Sequence, residues 1–239
     1  MNKMKLIVNE LNGTKELDIK HTLICGSNNI VNNTLEFLSA IGTSNSKDNE
    51  YILFDFIGDL RFLINPNKIL GIKVKPVHNH EALNYLETIK EEIDLRLTLM
   101  KNIRACSIES FNSYVEPDKG MNNLTFILYG MSTYNEEIKN LLLTILRDSY
   151  KVGIRIILIN REYDIEKLSI SLLNEFKTVI YTGGFERRNL VKVIGNEIES
   201  NTLLLKQKDC CGGVLNLNII PYYYKDSEIF YKWLTTARY

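Results

Sequence analysis

Short apolar runs of strand length alternate with stretches of helical spacing along nearly the whole chain, and this alternation restricts the fold more than any other feature. Strand-like runs fall at 5–8, 22–25, 51–56, 70–77, 124–130, 154–159, 178–184, 203–205, 214–217 and 219–224. Helical spacing fills 31–41, 81–102, 108–114, 136–150 and 165–176, and begins again at Asp226. The clearest stripe is Leu83, Leu86, Ile89, Ile93, Leu97 and Met100, one face of a long amphipathic helix. The run YILFDF at 51–56 is apolar on both faces, as a central parallel strand must be. Alternating βα units predict an α/β fold, a mainly parallel sheet flanked by helices. With 239 residues, 45% of them hydrophobic, the chain suits a single domain over 1–239.

Charge excludes some functions. Lys+Arg and Asp+Glu are 29 each, and no basic stripe is visible, so nucleic acid is not an expected partner. The cysteines, Cys25, Cys106, Cys210 and Cys211, form no CxxC pair and read as reduced thiols. No apolar run reaches the ~20 residues of a membrane span, and MNKMKLIVNELNG turns polar too early for a signal peptide.

Sheets of this kind bind ligands beyond the carboxyl ends of their strands. The first core strand ends at Gly26 in HTLICGSNNIVNNTLEFL. A phosphate-binding loop there reads GxxxxGK[ST]: glycines let backbone N–H groups wrap phosphates, Lys reaches the β/γ-phosphates, and Ser/Thr holds magnesium. Counted from Gly26, the second glycine is Val31, the Lys is Asn32 and the hydroxyl residue is Asn33, with Thr34 one place late. Val31 resists the positive φ that glycine adopts freely. Ser27, Asn28, Asn29, Asn32 and Asn33 read as a polar turn that caps a helix. The strand expected to carry acids for magnesium and water ends instead in Tyr129 and Gly130. Neither residue offers a carboxylate to a hard cation.

The segment LRLTLMKNIRACSIESFN, 95–112, carries a specific pattern: Arg96, Leu99, Met100, then Ile108, Glu109, Ser110, Phe111 and Asn112. It resembles the long helix and following segment of the FtsK/SpoIIIE-type motor family. EYILFDF resembles that family's second strand, with Asp55 in the place of its Asp. DSYKVGIRIILINRE resembles its sensor strand: Gly153 and Arg161 match, Asn160 stands for the sensor Gln, and Glu162 replaces a Pro. The resemblance spans 4–229 and implies a RecA-like P-loop NTPase fold whose nucleotide site has decayed. A near-neutral, degenerate member is most similar to the last ATPase-like domain of type VII secretion coupling proteins (EssC-, YukB- and EccC-like) of Gram-positive bacteria. What the resemblance implies is a pseudo-ATPase that acts in substrate recognition and protein export and binds neither ATP nor magnesium. It further implies a cytoplasmic domain excised from a membrane-anchored, multi-domain protein. Its partners would be neighbouring FtsK-like domains and secreted substrate proteins, with hexameric assembly of the full-length protein. Two alternatives stand beside this: a non-hydrolysing nucleotide-binding regulatory domain, and a DNA translocase motor.

Other motifs have plainer readings. His78, His80 and Glu81 offer i,i+2 imidazoles without further ligands, so Asn79 or His80 is expected to start the long helix and no metal is expected. Cys210–Cys211 followed by two glycines reads as a turn, and Phe185–Arg188 as a solvated one. The tail aromatics Tyr222, Tyr223, Tyr224, Tyr231 and Trp233 read mostly as core, with a partner surface as the sharper alternative.

Overall fold

A computed structural model of the chain describes residues 5–10, 13–18, 21–26, 49–58, 72–161, 164, 167–176, 178–182, 202–205 and 220–221. Two sheets are present among them. The smaller pairs β1 (Lys5–Glu10) antiparallel with β2 (Gly13–Asp18), and β10 (Ile220–Pro221) antiparallel with β1 on its other side. The apolar run at 5–8 marks β1, whereas nothing in the sequence marks β2. GTKELD holds one apolar residue, so its strand state comes from pairing with β1 rather than from its own pattern.

The larger sheet has seven strands, all parallel. They are β3 (Thr22–Gly26), β4 (Asn49–Asp55), β5 (Ile72–Pro76), β6 (Asn123–Tyr129), β7 (Ile154–Arg161), β8 (Thr178–Thr182) and β9 (Thr202–Leu205). Their order is β5-β4-β6-β7-β3-β8-β9. The expected parallel α/β sheet is thus observed, with β3 near its middle between β7 and β8. Edge strand β5 exposes Lys73 and Lys75 and ends in Pro76, residues that discourage a further strand from adding there.

Four helices are described: α1 (Ala82–Asn102), α2 (Ile108–Tyr114), α3 (Glu136–Asp148) and α4 (Ile170–Glu175). Leu86, Ile89 and Ile93 of α1, Ile138, Leu142 and Ile145 of α3, and Leu172 of α4 join one apolar cluster with Phe54, Phe126, Leu128, Ile156 and Leu158 of the sheet. Alternating with those strand residues, Leu53, Ile127, Ile157 and Ile159 are buried as well, so both faces of the central strands are covered. Each such side chain withdrawn from water contributes about 1.5–3 kcal/mol.

Two helix ends differ from expectation. The helix read over 136–150 stops at Asp148 and tightens into a 3₁₀ turn, Ser149–Val152, closed by Gly153 at φ 73°. Of the helix read over 165–176, Lys167–Ser169 are not helical and Ile170–Glu175 are, with Ser169 Oγ accepting the Leu172 N–H at 3.3 Å to cap the start. The helix expected at 31–41, the strand at 214–217 and the helix from Asp226 lie outside the described residues.

The 95–112 motif works at the amino edge of the sheet. Arg96 lies on the buried stripe of α1. Its Nη1 donates to the carbonyls of Asn122 at 2.8 Å and Val152 at 3.0 Å, and its Nε to Glu92 Oε1 at 2.7 Å. Those carbonyls precede β6 and β7, so one side chain ties α1 to the starts of two strands. Asn112 mimics a backbone pairing, donating to the Met121 carbonyl at 2.9 Å and accepting the Met121 N–H at 2.8 Å. A Cβ on Gly153 would stand 2.4 Å from Ile108 Cδ1, which is why glycine occupies that turn. His21 closes the same edge: its Nδ1 accepts the Ile156 N–H at 3.0 Å.

Candidate functional site

The opposite edge, where the strands end, is where a ligand of such a sheet docks. Gly26 is the last residue of β3, level with Arg161 and Thr182, so the loop that sequence reading singled out does leave from the sheet's centre. The loop itself, with Ser27, Asn28, Asn29, Val31, Asn32, Asn33 and Thr34, lies outside the described residues. So do the Arg161 side chain and the tail aromatics Tyr222, Tyr223, Tyr224, Tyr231 and Trp233.

Asp55 ends β4 and is fully buried. Its Oδ1 accepts the Gly58 N–H at 2.7 Å and the Ile57 N–H at 3.2 Å, folding the chain back beyond the strand. Its Oδ2 is buried without a hydrogen-bond partner. Tyr129 is level with Asp55 on β6 and equally buried. Gly130 follows at φ 73°, with its N–H donating to the Ile159 carbonyl at 2.8 Å. A Cβ there would fall 2.2 Å from Ile57 Cγ1. Any side chain at 130 must therefore accept a left-handed backbone and displace Ile57.

Asn160, the residue in the sensor place, is buried near the end of β7, and its Nδ2 donates to the Tyr134 hydroxyl. Its Oδ1 has no partner. Burial pushes the Tyr134 phenol well above the usual tyrosine range, against the opposing effect of the Asn160 bond, and the nearby Asp164 charge raises it further. Tyr134 therefore stays a neutral phenol.

The side-chain contacts of two residues at this edge have no mark in the sequence. Asn79, expected to start the long helix, opens the 3₁₀ turn Asn79–Glu81 that leads into α1, and its side chain also spans two loops: its Nδ2 donates to the Phe56 carbonyl at 3.3 Å and its Oδ1 accepts the Ser132 N–H at 2.7 Å. Lys167 pairs with buried Asp164 at 2.7 Å and donates to the Ser132 carbonyl at 3.2 Å. No spacing in the sequence announces these contacts, since each joins segments 23 or more positions apart or sits in a turn. His78 and His80 stack at 5.4 Å, and among the described residues no group of three or more His, Cys, Asp or Glu could hold a metal ion.

No family model matches the chain, and no curated protein does. Solved structures do. EssC (ATPases 2 and 3) from Geobacillus thermodenitrificans superposes with a TM-score of 0.64 at 16% identity, over 84% of this chain and 40% of that one. The pCW3 conjugation coupling protein TcpA, with ATPγS, gives 0.67 at 15% identity, over 81% of this chain and 58% of that one. Thermomonospora curvata EccC (ATPases 2 and 3), in complex with a signal sequence peptide, gives 0.57 at 11% identity, over 75% and 36%. The fold is that of an FtsK/SpoIIIE-like ATPase domain. The chain spans 36% to 58% of the length of these three neighbours. In the sheet order, β7 lies between β3, which ends at Gly26, and β6, which ends at Tyr129. Among the described residues no helix is long and apolar enough to cross a membrane.

Proposed function

We propose that this chain is a catalytically inactive FtsK/SpoIIIE-like domain of a type VII secretion coupling protein, acting in the recognition of secreted substrates rather than in hydrolysis. The end of β6 carries the reading. Tyr129 and Gly130 present no carboxylate, and the place beyond Gly130 Cα is filled by Ile57. A magnesium ion does not fit residues of this kind. The absence of Lys anywhere from Gly26 to Ser46 and the capture of Asn160 by Tyr134 support the same reading. Support for a substrate role comes from the EccC neighbour solved with a signal sequence peptide, and from EssC, in which ATPase domains stand in tandem. The whole protein would then be membrane-anchored, with this domain in the cytoplasm beside other FtsK-like domains in a hexameric assembly. Binding of substrate would draw on the strand-end loops and the tail aromatics.

The TcpA neighbour, solved with ATPγS, favours a second reading, a regulatory domain that binds nucleotide without turnover. Titration separates the two. Under the first, a labelled signal-sequence peptide from a secreted substrate binds saturably, ATPγS does not, and Tyr223→Ala with Trp233→Ala weakens the peptide while the domain stays folded. Saturable ATPγS binding with no peptide binding would replace the first reading by the second.

A further inference from the structure

Residues 131–135 connect β6 to α3 in no regular structure. They begin at Gly130, whose φ of 73° turns the chain off the strand, and end at Asn135, whose Oδ1 accepts the Ile138 N–H at 2.8 Å to cap α3. Between these fixed ends, no backbone group of residues 131–134 pairs with backbone of another described residue. The segment is instead held by side chains from its two flanks. Asn79 accepts the Ser132 N–H at 2.7 Å from the α1 side, and Lys167 donates to the Ser132 carbonyl at 3.2 Å from the α4 side. Both halves of one residue's backbone are thus gripped from opposite directions. A third tie joins the Tyr134 hydroxyl to Asn160. The segment's own Met131, fully buried, and Tyr134 reach into the apolar cluster shared with β6 and α3.

We propose that residues 131–135 form a strap that opens as a unit of its own, hinged at Gly130 and held shut by Asn79 and Lys167. A segment with no backbone ladder of its own, fixed by a few side-chain bonds and two buried side chains, opens at a lower cost than the sheet it leaves. Opening would uncover Met131, Tyr134 and the unpartnered Asn160 Oδ1 at the strand ends, giving the domain a second conformation at the edge where ligands of this fold dock. The proposal stands whether or not the domain turns over ATP.

Amide exchange read residue by residue on the full chain tests it. Loss of one net hydrogen bond raises local opening about fivefold. Asn79→Ala is expected to speed exchange at Ser132 by about that factor, and adding Lys167→Met to speed it further, while the amides of Phe126, Ile127 and Leu128 keep wild-type rates. Asn79→Asp keeps the acceptor for the Ser132 N–H and is expected to restore protection there. Unchanged exchange across 131–134 in the double variant would overturn the strap. So would acceleration shared equally by β6, which would make the segment part of the sheet's own unfolding, and so would failure of Asn79→Asp to protect Ser132.

Discussion

Arg96 and Gly130 show how differently two positions singled out by sequence can act. Arg96 stands in the motif that most resembles a motor family, yet its guanidinium grips the carbonyls of Asn122 and Val152 at the edge far from the strand ends. Its role is to hold the fold. Arg96→Met leaves the buried Val152 carbonyl and the part-buried Asn122 carbonyl without their charged donor and is expected to destabilise by about 3 kcal/mol, read as a lower urea midpoint. Gly130 is constrained by backbone and by Ile57 together. Gly130→Ala is expected to cost about 2–4 kcal/mol, from the left-handed φ and the Ile57 collision. Ile57→Ala should relieve part of that cost, so the double variant is more stable than the sum of the two singles allows. Restoring Asn32→Lys alone is expected to yield no phosphate release, since the loop would still lack its second glycine and β6 its acids.

At the scale of elements, apolar pattern carried the reading and isolated polar contacts escaped it. The stripe through Leu86, Ile89, Ile93 and Met100 located α1 to within a residue, because period 3.6 over six turns admits no other structure. The apolar runs of β4, β6 and β7 gave central strands for the same reason. What pattern could not give was β2, whose polar sequence is a strand only through β1, or the start of α4, which a single Ser169 cap decides. At the strand ends, Gly26, Tyr129, Gly130 and Asn160 lie where the spacing of the resemblance puts them. The side-chain bonds of Asn79 and Lys167 have no such mark, because they cross from one loop to another. The burial of α1 predicts a sharp contrast along one helix. Ile93→Ala is expected to cost about 2–5 kcal/mol in chemical unfolding, while Leu99→Ala, on the 40%-exposed flank, should cost well under 1 kcal/mol.

Among the described residues a seven-stranded parallel sheet buries polar groups such as Tyr51 and Tyr134, and that leaves a signature in pH. Burial raises the phenols of Tyr51 and Tyr134 above the usual tyrosine range; for Tyr51 the Arg155 charge opposes this. A raised folded-state value means that the native chain holds these protons more tightly than the unfolded one. The stability they contribute is fully present below about pH 10, the unfolded value. It is lost progressively as pH rises from there toward the folded values. Urea unfolding at pH 9 to 11 should show this decline, and Tyr51→Phe with Tyr134→Phe should flatten it. The central proposal is that a domain with the fold of these ATPases does not hydrolyse ATP. The most direct test is steady-state phosphate release by the purified protein with magnesium and saturating ATP. The account predicts a rate indistinguishable from buffer. Magnesium-dependent release above that level, abolished by Asn32→Asp, would contradict it.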